Sequence, residues 1–196
     1  MDYHIRPAED RDVADLARLQ VLGSDGIIAA IYDGLIPGQS VAEMLERRFF
    51  FQNSTKSYRH CWVAESDGRV IGDLHAHPFD AMTGDPSDPI VPEERYAVVE
   101  PFDALDRVGE GTYHVNVVAV FPDFQGNGVG AALTELALQN ARDLGLGAVS
   151  LVCFEENKPA MTLYARHGFK EAARAPAAKH PLIQHGGDLL MLVAPV

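Results

Sequence analysis

Val118-Ala119-Val120-Phe121-Pro122-Asp123-Phe124-Gln125-Gly126-Asn127-Gly128-Val129-Gly130-Ala131 is the stretch on which the fold turns. Its apolar start completes a strand that begins at Thr112, and Pro122, which has no amide hydrogen, closes it. Glycines at 126, 128 and 130 let the backbone turn sharply and expose successive N–H groups. From Gly130 to Leu144 the residues Leu133, Leu136, Ala137, Ala141 and Leu144 share one helical face, and Gly145 follows as a stop. Strand, glycine loop and helix in that order aim a row of amides and the positive end of a helix dipole at one point. A pyrophosphate suits that point and needs no metal there.

Working outward, Tyr3–Arg6 reads as an edge strand. A helix carrying Val13, Leu16, Ala17, Leu19 and Gln20 at near-helical spacing follows and ends at Gly23. The loop Asp33–Gln39 leads to Ser40, a predicted N-cap with Glu43 as capping-box partner, and to an amphipathic helix from Val41 to about Phe51. Cys61–Glu65 and Arg69–His77 read as a hairpin turning at Asp67-Gly68. Pro78–Gly111 is polar and proline-rich, with a short helix expected inside Glu93–Val108 and broken at Pro101. Downstream lie a continuous apolar strand (Ala148–Phe154), a helix (Pro159–His167) stopped by Gly168, and strands at Phe169–Arg174 and Asp188–Val193. The pattern predicts an α/β (α+β) layout with one sheet covered by helices.

The loop also fits, as Gly126-x-Gly128-x-x-Ala131, a loose dinucleotide-binding fingerprint. The residue about 20 positions on, which that fold reserves for an acid, is Ser150. Too little chain follows the loop for a complete dinucleotide fold. A glycine turn with no ligand is the plain alternative. The wider block decides between them. Gln125, Gly128 and Gly130 fill a Gln/Arg-x-x-Gly-x-Gly/Ala pattern behind an apolar strand and a proline, and this resembles motif A of the GNAT superfamily of acyl-CoA-dependent N-acyltransferases. Asn157-x-x-Ala160-x-x-Leu163-Tyr164-x-x-x-Gly168-Phe169 resembles its motif B, one helix and one strand downstream. The strict match covers the central third of the chain, and the element order extends it across nearly all of it.

The resemblance implies a central mixed, mostly antiparallel sheet with helices on both faces and a splay between strands 4 and 5. It implies one domain over residues 1–196, with residues 78–111 as an insertion. Acetyl-CoA would be the co-substrate, with no metal. The backbone of Val118, Ala119 and Val120 would pair with the pantetheine arm. The loop of Gln125, Gly126, Asn127, Gly128, Val129, Gly130 and Ala131 would hold the pyrophosphate. Tyr164 matches the family's usual general acid and Asn157 a position that often meets the pantetheine, a capping role being the other reading of Asn157. Some members carry a glutamate base where this chain has His114. An imidazole there can act as a base or sit idle in the sheet. Asn116, two residues on, can hold a water for a proton relay.

Asp73, His75 and His77 share a strand face. The spacing suits metal ligation, an acceptor-site role or simple exposure, but the family needs no metal and no third and fourth ligands lie near in sequence. His180 and His185 read as loop. Cys61 and Cys153 sit in apolar runs and read as buried free thiols of a reducing cytoplasm.

The net charge of −12 argues against nucleic-acid and anionic-membrane partners. No apolar run is long enough for a membrane span, and a cytoplasmic protein is expected. Nine acids and two bases between Phe79 and Thr112 give −7 of the total. That segment is either a flap steering a cationic acceptor or a solvated loop. The expected activity is N-acetyl transfer from acetyl-CoA to a primary amine, beside two competitors: an acyl-CoA-binding module without turnover, and a nicotinamide-nucleotide enzyme. A homodimer is left open.

Overall fold

Seven strands form one sheet in the order β1-β2-β3-β4-β5-β7-β6: β1 (His4–Pro7), β2 (Cys61–Ser66), β3 (Arg69–Pro78), β4 (Tyr113–Val120), β5 (Ala148–Phe154), β6 (Lys170–Pro176) and β7 (Asp188–Pro195). β4 and β5 are parallel and every other pair is antiparallel. The molecule is a computed structural model describing residues 1–51, 53–79 and 91–196. Asp80, Asp85 and Asp88 of the acidic segment lie outside the described residues.

Among the described residues six α-helices cover the sheet: α1 (Val13–Gly23), α2 (Ile27–Tyr32), α3 (Val41–Phe49), α4 (Tyr96–Gly109), α5 (Val129–Asp143) and α6 (Lys158–Arg166). On one face, Leu133, Ala137 and Ala141 of α5 pack with Tyr164 of α6 against Leu74, Val115, Val149 and Leu151. On the other, Leu16 and Leu19 of α1 and Leu45 and Phe49 of α3 pack against Val63, Val117 and Ala119. A third cluster joins α2 and α4 to Phe154, Leu189 and Met191.

Two helices depart from expectation. The short α2 follows Gly26, whose φ of 92° sets its entry, and it carries no side-chain cap to announce it. α4 runs unbroken through Pro101. The proline deprives the Ala97 carbonyl of its helical donor, yet Val98 and Leu105 are buried on the third cluster, and that burial outweighs the lost bond. Ser40 caps α3 as predicted, its hydroxyl accepting from Glu43 N at 3.3 Å while Glu43 accepts from Ser40 N at 2.7 Å.

The feature that shapes the centre is a bulge. His75 faces Val117 and Ala76 faces Val115, so Asn116 is an extra residue on β4. Tyr113 and Val115 point toward α5 before it, Val118 and Val120 after it. Pairing with β5 covers Tyr113–Val115 only, and the two parallel strands part at the same place. The expected splay is present.

Candidate active site

Beyond the bulge, β4 keeps its pairing with β3 through Val120 but has no strand partner on its β5 side among the described residues. Val118, Ala119 and Val120 form this one-sided stretch. It leads through a turn at Pro122–Phe124 into the glycine loop. Gly126 and Gly128 have φ of 76° and 84°. A side chain at 126 would meet nothing within 4 Å, so left-handed backbone, not space, requires glycine there. The amides of Gly126, Asn127, Gly128, Val129, Gly130 and Ala131 have no acceptor among the described residues, and α5 has no side-chain cap. Asn127 Nδ2 folds back to the carbonyls of Phe124 and Gln125, both at 3.2 Å, and Gln125 Nε2 donates to Val120 O at 3.0 Å. These bonds stiffen the loop without using its backbone amides. No Lys or Arg stands within it, so six oriented N–H groups and the helix dipole supply its positive potential. This set of donors fits a diphosphate.

Tyr164 is buried, 5.6 Å from the Phe169 ring, and its hydroxyl has no hydrogen-bond partner among the described residues. Burial pushes the phenol up, and Cys153 and Asp25 add to the shift. Cys153 on β5 is a free thiol pushed up to about 12, chiefly by burial. Asn157 caps α6, accepting from Ala160 N at 3.1 Å and donating to Asp25 Oδ2 at 2.8 Å. Its capping reading therefore holds.

His114 is deeply placed. Nδ1 shares a hydrogen bond with Ser150 Oγ at 2.9 Å, Phe79 lies edge-on at 5.3 Å, and burial pushes the imidazole down to about 3. Asn116 is exposed at the bulge. His75 and His77 are also buried, contrary to the exposed strand face considered for them. His75 Nε2–H donates to Thr55 O at 2.7 Å and His77 Nδ1–H to Pro78 O at 2.9 Å. The rings of His60, His75 and His114 surround that of His77 at 5.9, 6.0 and 6.2 Å. Among the described residues no three His, Cys, Asp or Glu side chains are grouped to hold a metal ion. No described helix is long and apolar enough to cross a membrane.

Sequence reasoning assigns Asp25 no role and reads His185 only as loop. The structure brings them together, Asp25 Oδ1 lying 3.5 Å from His185 Nε2. The Asp25-Gly26 pair after a helix was the one local sign, since such pairs mark tight turns.

Comparison with known proteins agrees with this geometry. The family model described as Acetyltransferase (GNAT) family matches residues 28–169. A mycothiol acetyltransferase of Parafrankia sp. (strain EAN1pec) is 36% identical over 120 residues, covering 61% of this chain and 34% of that protein. A mycothiol acetyltransferase of Thermomonospora curvata is 46% identical over 112 residues, covering 57% of this chain and 28% of its own. The chain thus spans about a third or less of the length of these curated relatives. In fold, a crystal structure of an agmatine N-acetyltransferase superposes over 100% of both chains with a TM-score of 0.68 at 17% identity.

Proposed function

The chain belongs to the acetyltransferase (GNAT) family, and from that premise we propose that it transfers an acetyl group from acetyl-CoA to a primary amine, by direct attack with both substrates bound. One observation carries the reading. The strand edge freed at Asn116 leads directly into six amides that have no acceptor among the described residues. An extended arm with a diphosphate at one end matches a strand edge with an anion cradle at one end.

In this reading the backbone of Val118–Val120 aligns the thioester arm, and Gln125–Ala131 hold the diphosphate. Tyr164 protonates the departing thiolate. Its raised pKa keeps the phenol protonated until that moment, and no other side chain competes for its hydroxyl. Burial also holds Cys61 and Cys153 as neutral thiols, which are poor nucleophiles, so direct attack is favoured over an acyl-cysteine route. We assign no base role to His114, because its ring is buried against the Ser150 hydroxyl and the edge-on Phe79 ring, and that burial lowers its affinity for a proton. Asn116, exposed beside the opening, is the residue placed to hold a water there.

The acceptor is read as cationic. The net charge is −12, and Glu93, Glu94, Glu100, Asp103 and Glu110 are exposed around α4. Residues 1–196 are read as one domain with 78–111 as its insertion.

The test is thiol release from acetyl-CoA against a panel of diamines, amino sugars and dipeptides, with mass analysis of the acceptor. The expected result is release of one thiol per acetylated amine. Tyr164→Phe should lower kcat by about a hundredfold with acetyl-CoA affinity unchanged. Tight binding of acetyl-CoA with no release toward any amine would overturn the reading and leave a binding module.

A further inference from the structure

An ammonium group needs a counter-charge on arrival and must lose a proton before its nitrogen attacks. Neither His114 nor Asn116 supplies the counter-charge. At the C-terminal end of β5, three segments far apart in sequence converge on one carboxylate. Asp25 Oδ2 accepts from Asn157 Nδ2 at 2.8 Å, Oδ1 lies 3.5 Å from His185 Nε2, and the Asp25 carbonyl accepts from Gln184 N at 2.9 Å. The loop is held in an unusual shape. Asp25 has φ of 51°, and Gly26 follows at 92°, where a side chain would lie 1.8 Å from the Leu182 carbonyl oxygen. The packing of two loops thus fixes where this carboxylate stands.

Asn157, its hydrogen-bond partner, caps α6, the helix that carries Tyr164, and Gly23, two residues before Asp25, lies against the one-sided part of β4, where a side chain on it would come 2.7 Å from Val117 Cγ1 and 2.9 Å from Ala119 Cβ. The Asp25 charge reaches both the Tyr164 phenol and the Cys153 thiol and raises both. The Asp25 side chain is only 21% exposed, and burial raises its own pKa against the pull of Asn157 and His185. No Lys or Arg pairs with it among the described residues. Such a carboxylate gains most from a cation brought by a ligand.

We infer that Asp25 receives the ammonium group of a cationic primary amine, and that His185 carries the released proton to solvent. This rests on the acetyl-transfer reading. The ammonium proton passes to the Asp25–His185 pair and on to water. The freed lone pair then forms the C–N bond as the C–S bond breaks, the thiolate takes the Tyr164 proton, and the second proton, shed by the new amide nitrogen, passes to water and so makes good the proton that Tyr164 takes back from solvent. One proton is released per turnover. His185 is 29% exposed, which gives it contact with water.

The experiment compares two acceptor sets in steady-state thiol release: diamines and amino sugars, protonated at neutral pH, and hydrazides and O-alkylhydroxylamines, which are already neutral there. Asp25→Asn keeps an oxygen for Asn157, and asparagine tolerates positive φ. It should raise KM for the protonated set by roughly tenfold or more, and leave KM for the neutral set and for acetyl-CoA unchanged. His185→Gln should lower kcat for the protonated set alone, and carries the comparison if Asp25→Asn does not fold. An active wild type whose variants affect both sets equally, or neither, overturns this inference alone. A wild type inert toward both sets overturns the acetyl-transfer reading and this inference with it.

Discussion

Asp73 is a carboxyl group sealed inside the sheet. Gln20 Nε2 donates to Oδ2 at 3.0 Å, Oδ1 has no partner, and burial pushes the group up to about 8. Unfolded, an aspartate releases its proton near about 4. Between these limits the folded state binds more protons, so this residue's contribution falls as pH rises through the window. His75 and His114 act with the opposite sign. Burial pushes both down to about 3, against about 6.5 in an unfolded chain, so their contribution is full above about 6.5 and falls as pH drops toward 3. Asp73→Asn should therefore gain stability on the wild type as pH rises from about 4 to about 8, by at most about 1.4 kcal/mol per pH unit. Urea midpoints across that range check it; parallel curves for the two proteins would contradict the assignment. The sequence placed Asp73 and His75, with His77, on one strand face but not inside the core. Alternation shows which residues share a face, and a bulge on the neighbouring strand helps decide what covers it.

At the scale of elements, the strand–loop–helix unit was the most legible part of the chain. Its signals are local: alternate glycines, a strand-ending proline and one apolar helical face. The splay was legible only through family resemblance. Its structural partner is the single extra residue at Asn116, and pairing register is not written in either strand alone. α4 was misread because Pro101 is a local signal that packing overrode, and α2 because six residues behind a glycine offer too little pattern. The loop's glycines make a separable prediction. Gly128→Val, with a β-branched side chain at φ 84°, should weaken CoA binding by roughly tenfold and cost about 1–2 kcal/mol of stability. Gly128→Asn should retain most of both, because asparagine tolerates that backbone. Calorimetric titration with CoA distinguishes them, and equal affinity in all three proteins would show that the loop does not cradle the ligand.

Across the whole molecule, three apolar clusters pack on one sheet, and each draws its residues from across the chain. Asp25 and Asn157, hydrogen-bonded to each other, are 132 residues apart in sequence, which is why no local motif announced their contact. Motif B flagged Tyr164 and Asn157, but Asn157 serves as a cap tied to Asp25. The acid excess was legible as a count, whereas its arrangement around α4 needed the fold. The central claim is that backbone groups on either side of one turn hold acetyl-CoA. Amide hydrogen exchange with and without acetyl-CoA tests it most directly. Exchange should slow at amides within residues 116–120 and at Gly126–Ala131. Unchanged exchange in both stretches at saturating acetyl-CoA would contradict it.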